Sequence, residues 1–69
     1  MPLIMAETGK CYTVKEIRGG KEAKHRLEKL GFVEGAAIEI ISRQGGNTIV
    51  KVFECRVAIG AGMATKIIV

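Results

Sequence analysis

The sequence predicts a mainly β domain: a small barrel of about five short strands, with one short α-helix between the first and second strands. Short runs rich in β-branched residues, separated by turns that contain glycine, make up most of the chain. Only the stretch 21–35 carries apolar residues at helical spacing. A length of 69 residues allows a single domain, residues 1–69, near the lower size limit for a chain that folds alone.

The predicted helix lies at the start of that stretch. Ala23, Leu27 and Leu30 are spaced at i, i+4 and i+7 and form one apolar stripe, whereas charged residues fill the opposite side. Gly31 follows directly and is suited to the left-handed conformation that ends many helices. We therefore expect a short helix that packs one face against the barrel and stops before this glycine.

The strands are predicted from the β-branched runs on either side of the helix. They cover residues 11–17, 36–42, 48–53, 55–59 and 66–69, with one 3₁₀ turn over residues 60–64 before the last strand. A bulge near Lys15 would bring Val14 and Ile17, which have opposite parity, onto one face. Residues 44–47, Gln-Gly-Gly-Asn, form a hairpin turn, and residues 2–5 are expected to cover one open end. This order of elements is typical of an SH3-like barrel.

The second and third strands carry apolar residues on both parities. The set expected to fill the core is Ile38, Ile40, Val50 and Val52. The candidate partner-binding residues are Ile41, Ile49 and Phe53 on the outer face, and Phe32 with Met63 near the helix end and the 3₁₀ turn. An apolar outer face predicts a contact surface for another protein, although cover by the helix or the N-terminal segment is an open alternative.

Composition admits several kinds of partner. Hydrophobic residues make up 48% of so small a chain, so some of them are expected at the surface. Exposed apolar residues could bind a protein partner or form a homo-oligomer with a second copy of the chain, and an ordinary barrel with scattered exposed aliphatic residues is the alternative. The net charge of +4 also admits nucleic acid, bound through Lys15, Arg18, Lys24 and Lys29. Only three aromatic residues are present, too few for a platform that stacks bases, so we expect no nucleic-acid partner.

No pattern in the chain predicts catalysis, and we expect a protein that is not an enzyme and has no catalytic or cofactor-binding residues. Metal binding has one candidate set, since Glu22 and Glu28 flank His25 at three residues on either side of a helix. Such a site would suit a divalent transition metal, iron or zinc, completed by further ligands, although a solvated histidine is the alternative. Cys11 and Cys55 are expected to be small buried hydrophobic residues.

The first residues lack a signal peptide, and no apolar run reaches the roughly 18 residues that span a membrane. We therefore expect a cytoplasmic protein with reduced thiols.

Arg26-Leu27 is followed by residues 30–35, Leu-Gly-Phe-Val-Glu-Gly. This pattern resembles the RL and LG-hydrophobic-x-PG signature of the FeoA family, the small companions of the FeoB ferrous iron transporter. Residues 56–59, together with the later positions Ala64, Ile67 and Val69, resemble its closing pattern. Glu34 and Thr8 stand where the family usually has proline, which lowers the rigidity of the unfolded chain without changing the fold.

The resemblance implies a regulatory or accessory protein of ferrous iron uptake with an SH3-like fold. Its implied partner is the cytoplasmic GTP-binding domain of an FeoB-type transporter, through which it would meet the membrane. We expect no required cofactor, although the candidate set at His25 leaves a divalent transition metal, iron or zinc, as an open possibility. The alternative functions are a metal-sensing module related to the C-terminal domain of DtxR-type repressors and a small nucleic-acid-binding barrel.

Overall fold

The computed structural model describes all 69 residues and shows a mainly β, SH3-like barrel made of two antiparallel sheets. The elements are a 3₁₀ turn at Leu3–Met5, β1 at Cys11–Thr13, β2 at Glu16–Ile17, α1 at Lys21–Lys29, β3 at Ala37–Gln44, β4 at Asn47–Val52, β5 at Cys55–Gly60, α2 at Ala61–Ala64 and β6 at Ile67–Ile68. One sheet has the strand order β1-β3-β4-β5, and the other pairs β2 with β6. The predicted fold class is confirmed. Neither helix has the length and apolar character needed to cross a bilayer.

A single cluster of 14 buried hydrophobic residues forms the core. The four residues expected there, Ile38, Ile40, Val50 and Val52, are all buried, so this prediction is confirmed. Leu27 is the one residue of α1 that is fully buried, and it attaches the helix to the barrel. Burial of a leucine side chain contributes about 1.5–3 kcal/mol, which is a large share of the stability of so small a domain.

The predicted first strand is divided into β1 and β2, and the expected bulge near Lys15 is wrong. At this point the chain changes partners: Val14 donates its N–H to the carbonyl of Ala36 at 2.9 Å, and Lys15 donates to Ile68 at 2.7 Å. β1 therefore pairs with β3, whereas β2 pairs with β6 in the other sheet. This change of sheet, rather than a bulge, accounts for the opposite parity of Val14 and Ile17.

A bulge does occur in β3, where the register with β4 shifts between Ile40 and Ser42. Ile41 lies at this shift and is half-buried. The hairpin turn predicted for residues 44–47 is present, with Gly45 and Gly46 as its two central residues. Residues 61–64 form one turn of α-helix instead of the predicted 3₁₀ turn, since Thr65 donates its N–H to Ala61, four residues back.

The N-terminal segment packs on the core as predicted. Leu3 and Ala6 are fully buried, and Pro2 forms an isolated bridge with Ile68 of β6. The guanidinium of Arg43 donates hydrogen bonds to the carbonyl oxygens of Ile4, at 2.8 Å, and of Ala6. These bonds hold the segment against the end of β3.

Candidate protein-interaction surface

The turn between β4 and β5 has an unusual backbone for its residues. It consists of Phe53 and Glu54 alone, and both have positive φ, 48° and 65°. A two-residue hairpin of this type favours Asn-Gly because a side chain in the left-handed region costs about 1–2 kcal/mol per residue. The turn keeps Phe53 at the surface with 65% of its area exposed. An aromatic residue held outward in a strained backbone marks a position to test for function.

Phe53 lies against the backbone that follows α1. A Cβ atom added to Gly31 would lie 2.8 Å from Cδ2 of Phe53 and 3.3 Å from Cγ2 of Val52, so a larger residue there would displace the Phe53 ring. Gly31 has φ of 104° and ends the helix as predicted. Leu30 and Val33, close to this glycine in the chain, are also exposed. We call Leu30, Val33 and Phe53 the tip patch.

Beside Phe53 runs an open groove of about 350 Å³. Its lining residues are Cys11, Ala37, Ile38, Glu39, Lys51, Phe53 and Glu54. Lys51 Nζ lies 3.6 Å from Glu54 Oε2, an exposed pair that contributes little to stability. The groove thus combines an aromatic wall with exposed charges, a combination that suits a protein surface having both apolar and polar groups.

The structure separates the predicted partner-binding residues. Ile49 lies opposite Ser42 and Ala58 in the four-stranded sheet and, like Ile41, is half-buried. Met63 is partly buried and packs against the core.

The placement of Phe32 on a contact surface is wrong. This residue has no exposed area, and its N–H donates to the carbonyl of Leu27 at 3.0 Å, which turns the side chain inward after the helix ends. Leu30, expected to belong to the buried stripe, is instead 44% exposed because α1 stops at Lys29.

The predicted metal residues do not form a cluster. No group of three His, Cys, Asp or Glu side chains is placed to hold a metal ion, so the set His25, Glu22 and Glu28 is not brought together. His25 and Glu22 instead border a shallow depression of about 380 Å³ that they share with Arg26 and Lys29, two cations. Glu28 does not border this depression, because side chains six residues apart on an α-helix point about 120° apart around its axis.

The two cysteines, which the sequence analysis predicts to be buried, are exposed in the structure. Cys11 and Cys55 are exposed and free, on the two edge strands of the larger sheet. The prediction that they are buried is wrong: Ile59, in the same strand as Cys55, is buried, so exposure depends on the position along the strand, and each cysteine is the first residue of its strand.

Two features of the tip patch were not anticipated. The sequence predicts Leu30 in the buried stripe of the helix, whereas the structure exposes Leu30 and Val33 and gives Phe53 a left-handed backbone. A signal for the turn was present: strands over 48–53 and 55–59 leave no glycine between them, so residues with side chains must make the reversal. The contact with Gly31 has no signal in the sequence.

Comparisons with known proteins agree with the motif resemblance. A protein of Methanocaldococcus jannaschii named Fe(2+) transport protein A is 37% identical over 68 residues, which cover 99% of this chain and 83% of the relative. The crystal structure of an iron uptake regulatory protein, FeoA, is similar with a TM-score of 0.87 and 33% identity, covering 96% of this chain and 88% of that one.

The fold also occurs in a manganese-dependent transcriptional repressor, with a TM-score of 0.88 and 18% identity. That match covers 97% of this chain but 39% of the repressor, and at this identity it shows the fold alone. The sequence model of the FeoA domain family matches residues 1–69, the whole chain. The chain belongs to the FeoA domain family, whose members take part in ferrous iron transport.

Proposed function

We propose that this protein is a cytoplasmic accessory protein of ferrous iron uptake that binds the cytoplasmic GTP-binding domain of an FeoB-type transporter. It acts by binding rather than by catalysis, with the tip patch as the centre of the contact. The observation that carries the proposal is the exposure of Phe53 on a backbone that disfavours it. Family membership supports the transport role, and the transporter domain is the partner implied by the family's motifs.

Phe53 has the properties of an interface anchor. Aromatic residues are enriched among the few positions that supply most of the binding energy at protein interfaces. Contact with Gly31 restricts the ring on one side before binding, so less side-chain entropy is lost when a partner covers it. The adjoining groove would receive side chains of the partner, with Lys51, Glu39 and Glu54 as polar contacts at its rim.

The test is Phe53→Asn, with affinity for the isolated GTP-binding domain measured by calorimetry. Asparagine tolerates a left-handed backbone, so relief of strain offsets the lost ring contact and the free energy of unfolding should stay within about 1 kcal/mol. Removal of the anchor should weaken binding by about 30-fold or more, the effect of a 2 kcal/mol hot spot. Equal affinity of parent and variant would contradict the proposal.

A second variant, Ile49→Glu, tests the outer sheet face. It is expected to weaken binding if the partner extends over that face, and normal affinity would confine the contact to the tip patch. The affinity of the parent should be the same with and without a chelator, because binding through this patch uses no metal ligand.

A further inference from the structure

β5 forms an open edge of the larger sheet. It pairs with β4 along six consecutive residue pairs, from Cys55 opposite Val52 to Gly60 opposite Asn47, without a register shift. No strand follows it in the sheet. An edge of this length presents a row of unpaired backbone groups to which another chain can add a strand.

The register identifies the free groups. Val52 and Cys55 flank a two-residue turn and form a hydrogen-bonded pair, so the alternation of an antiparallel ladder also bonds Val57 and Ile59 to β4. The N–H and C=O groups of Arg56 and Ala58 then point away from β4. None of the backbone bonds outside the regular elements and none of the side-chain bonds involves either residue.

The opposite edge is protected, whereas β5 is not. β1 has only three residues, and the chain leaves the sheet at Val14. β5 has six residues, contains no proline or bulge, and carries one charge, on Arg56. Natural sheets shorten, kink or charge their edges to prevent unwanted pairing, so a long regular edge is suited to a wanted one.

The charged residues next to β5 indicate which side chains an added strand should carry. Glu39, Lys51 and Arg56 lie directly opposite one another on β3, β4 and β5. Lys51 has Glu54 as an ion-pair partner, but Arg56, which is exposed and beside a second cation, has none. Like charges opposite one another destabilise a sheet, and an acidic side chain on a strand added next to Arg56 would relieve this repulsion.

We infer that β5 receives an extended segment of the same protein partner that docks on the tip patch, with an acidic residue of that segment opposite Arg56. The inference rests on the proposed function, and β5 begins directly after Glu54, so one partner can reach both features. Side chains of the added strand that face the barrel would cover Val57, which is half-buried. The chain carries a net charge of +4 and two copies repel one another, so a second copy is a poorer occupant than a partner segment with an acidic residue.

The test compares Ala58→Pro with Ala58→Thr in binding to the GTP-binding domain. Proline removes an N–H that points away from β4, a position where edge strands tolerate it, and threonine keeps that N–H. The proline variant should bind about tenfold more weakly, whereas the threonine variant should bind like the parent. Amide hydrogen exchange at Arg56 and Ala58 should slow when the partner is added.

Arg56→Glu provides a variant that leaves the backbone unchanged, in case the proline variant does not fold. It should weaken binding and reduce the dependence of affinity on salt. The inference would be overturned if the folded proline variant, or Arg56→Glu, bound as tightly as the parent and the amides of β5 stayed unprotected. Loss of binding by Phe53→Asn would still support the proposed function in that case. Amide protection that rises with the concentration of the protein alone would also overturn the inference, by identifying a second copy as the occupant. No binding by the parent would contradict both proposals.

Discussion

Two hairpin turns in this barrel share a backbone but differ in their residues. Gly45 and Gly46 have φ of 55° and 84°, and Phe53 and Glu54 have φ of 48° and 65°. Side chains would fit at the first turn without touching anything, since a Cβ at either glycine meets no atom within 4 Å. Glycine is therefore used there for its backbone alone. The second turn keeps two side chains in spite of the same backbone, which supports the proposed binding role of Phe53.

The largest loss of stability is expected from a substitution at Gly31, the glycine that contacts Phe53 of the second turn. Gly31→Ala combines a left-handed backbone with a Cβ 2.8 Å from the ring of Phe53, and should lower the free energy of unfolding by about 2–4 kcal/mol. Gly35→Ala is the matched control, with φ of 88° and no atom near the added Cβ. Its loss should be about 1 kcal/mol, measured by urea denaturation. Equal losses in the two variants would show that the contact between Gly31 and Phe53 is unimportant.

Transplanting the residues of the second turn into the first should cost less. The double variant Gly45→Phe with Gly46→Glu places both side chains in left-handed backbone without a glycine beneath them, and should lose about 2–3 kcal/mol of stability. Gly45→Asn serves as its control and should remain close to the parent, since asparagine suits this turn. A double variant as stable as the parent would refute the strain assigned to Phe53 and Glu54.

The smallest effect is a gain. Glu54→Gly relieves the strain of a side chain at φ of 65° and should raise the free energy of unfolding by up to about 1 kcal/mol. Loss of the exposed ion pair with Lys51 subtracts only a little from this gain. Affinity for the transporter domain should fall by no more than about threefold, because Glu54 supplies only an exposed contact at the rim of the groove and Phe53 remains. Thermal and urea unfolding measure the stability of the variant, and calorimetry measures its affinity for the transporter domain. A gain in stability accompanied by loss of binding would move the binding role from Phe53 to Glu54.

Local patterns were reliable where one physical cause dominates. Alternation placed Ile38, Ile40, Val50 and Val52 in the core, because a pleated strand turns successive side chains to opposite faces. Patterns failed where the chain changes partner, as at Val14, since pairing with a distant strand cannot be inferred from neighbouring residues. The tip patch could be predicted only in part: strand parity predicts that Phe53 is exposed, but no pattern predicts the exposure of Leu30 and Val33.

By itself, the sequence determined the β class, the helix that stops before Gly31, the glycine hairpin and the family, because periodicity, turn chemistry and motif spacing are local properties. Only the tertiary structure decided which apolar residues stay exposed. It buried Phe32, exposed Leu30 and the two cysteines, left β5 without a neighbour and brought Phe53 onto Gly31. The physical reason is that exposure depends on which distant segments cover a residue, and that is fixed when the two sheets close around one core.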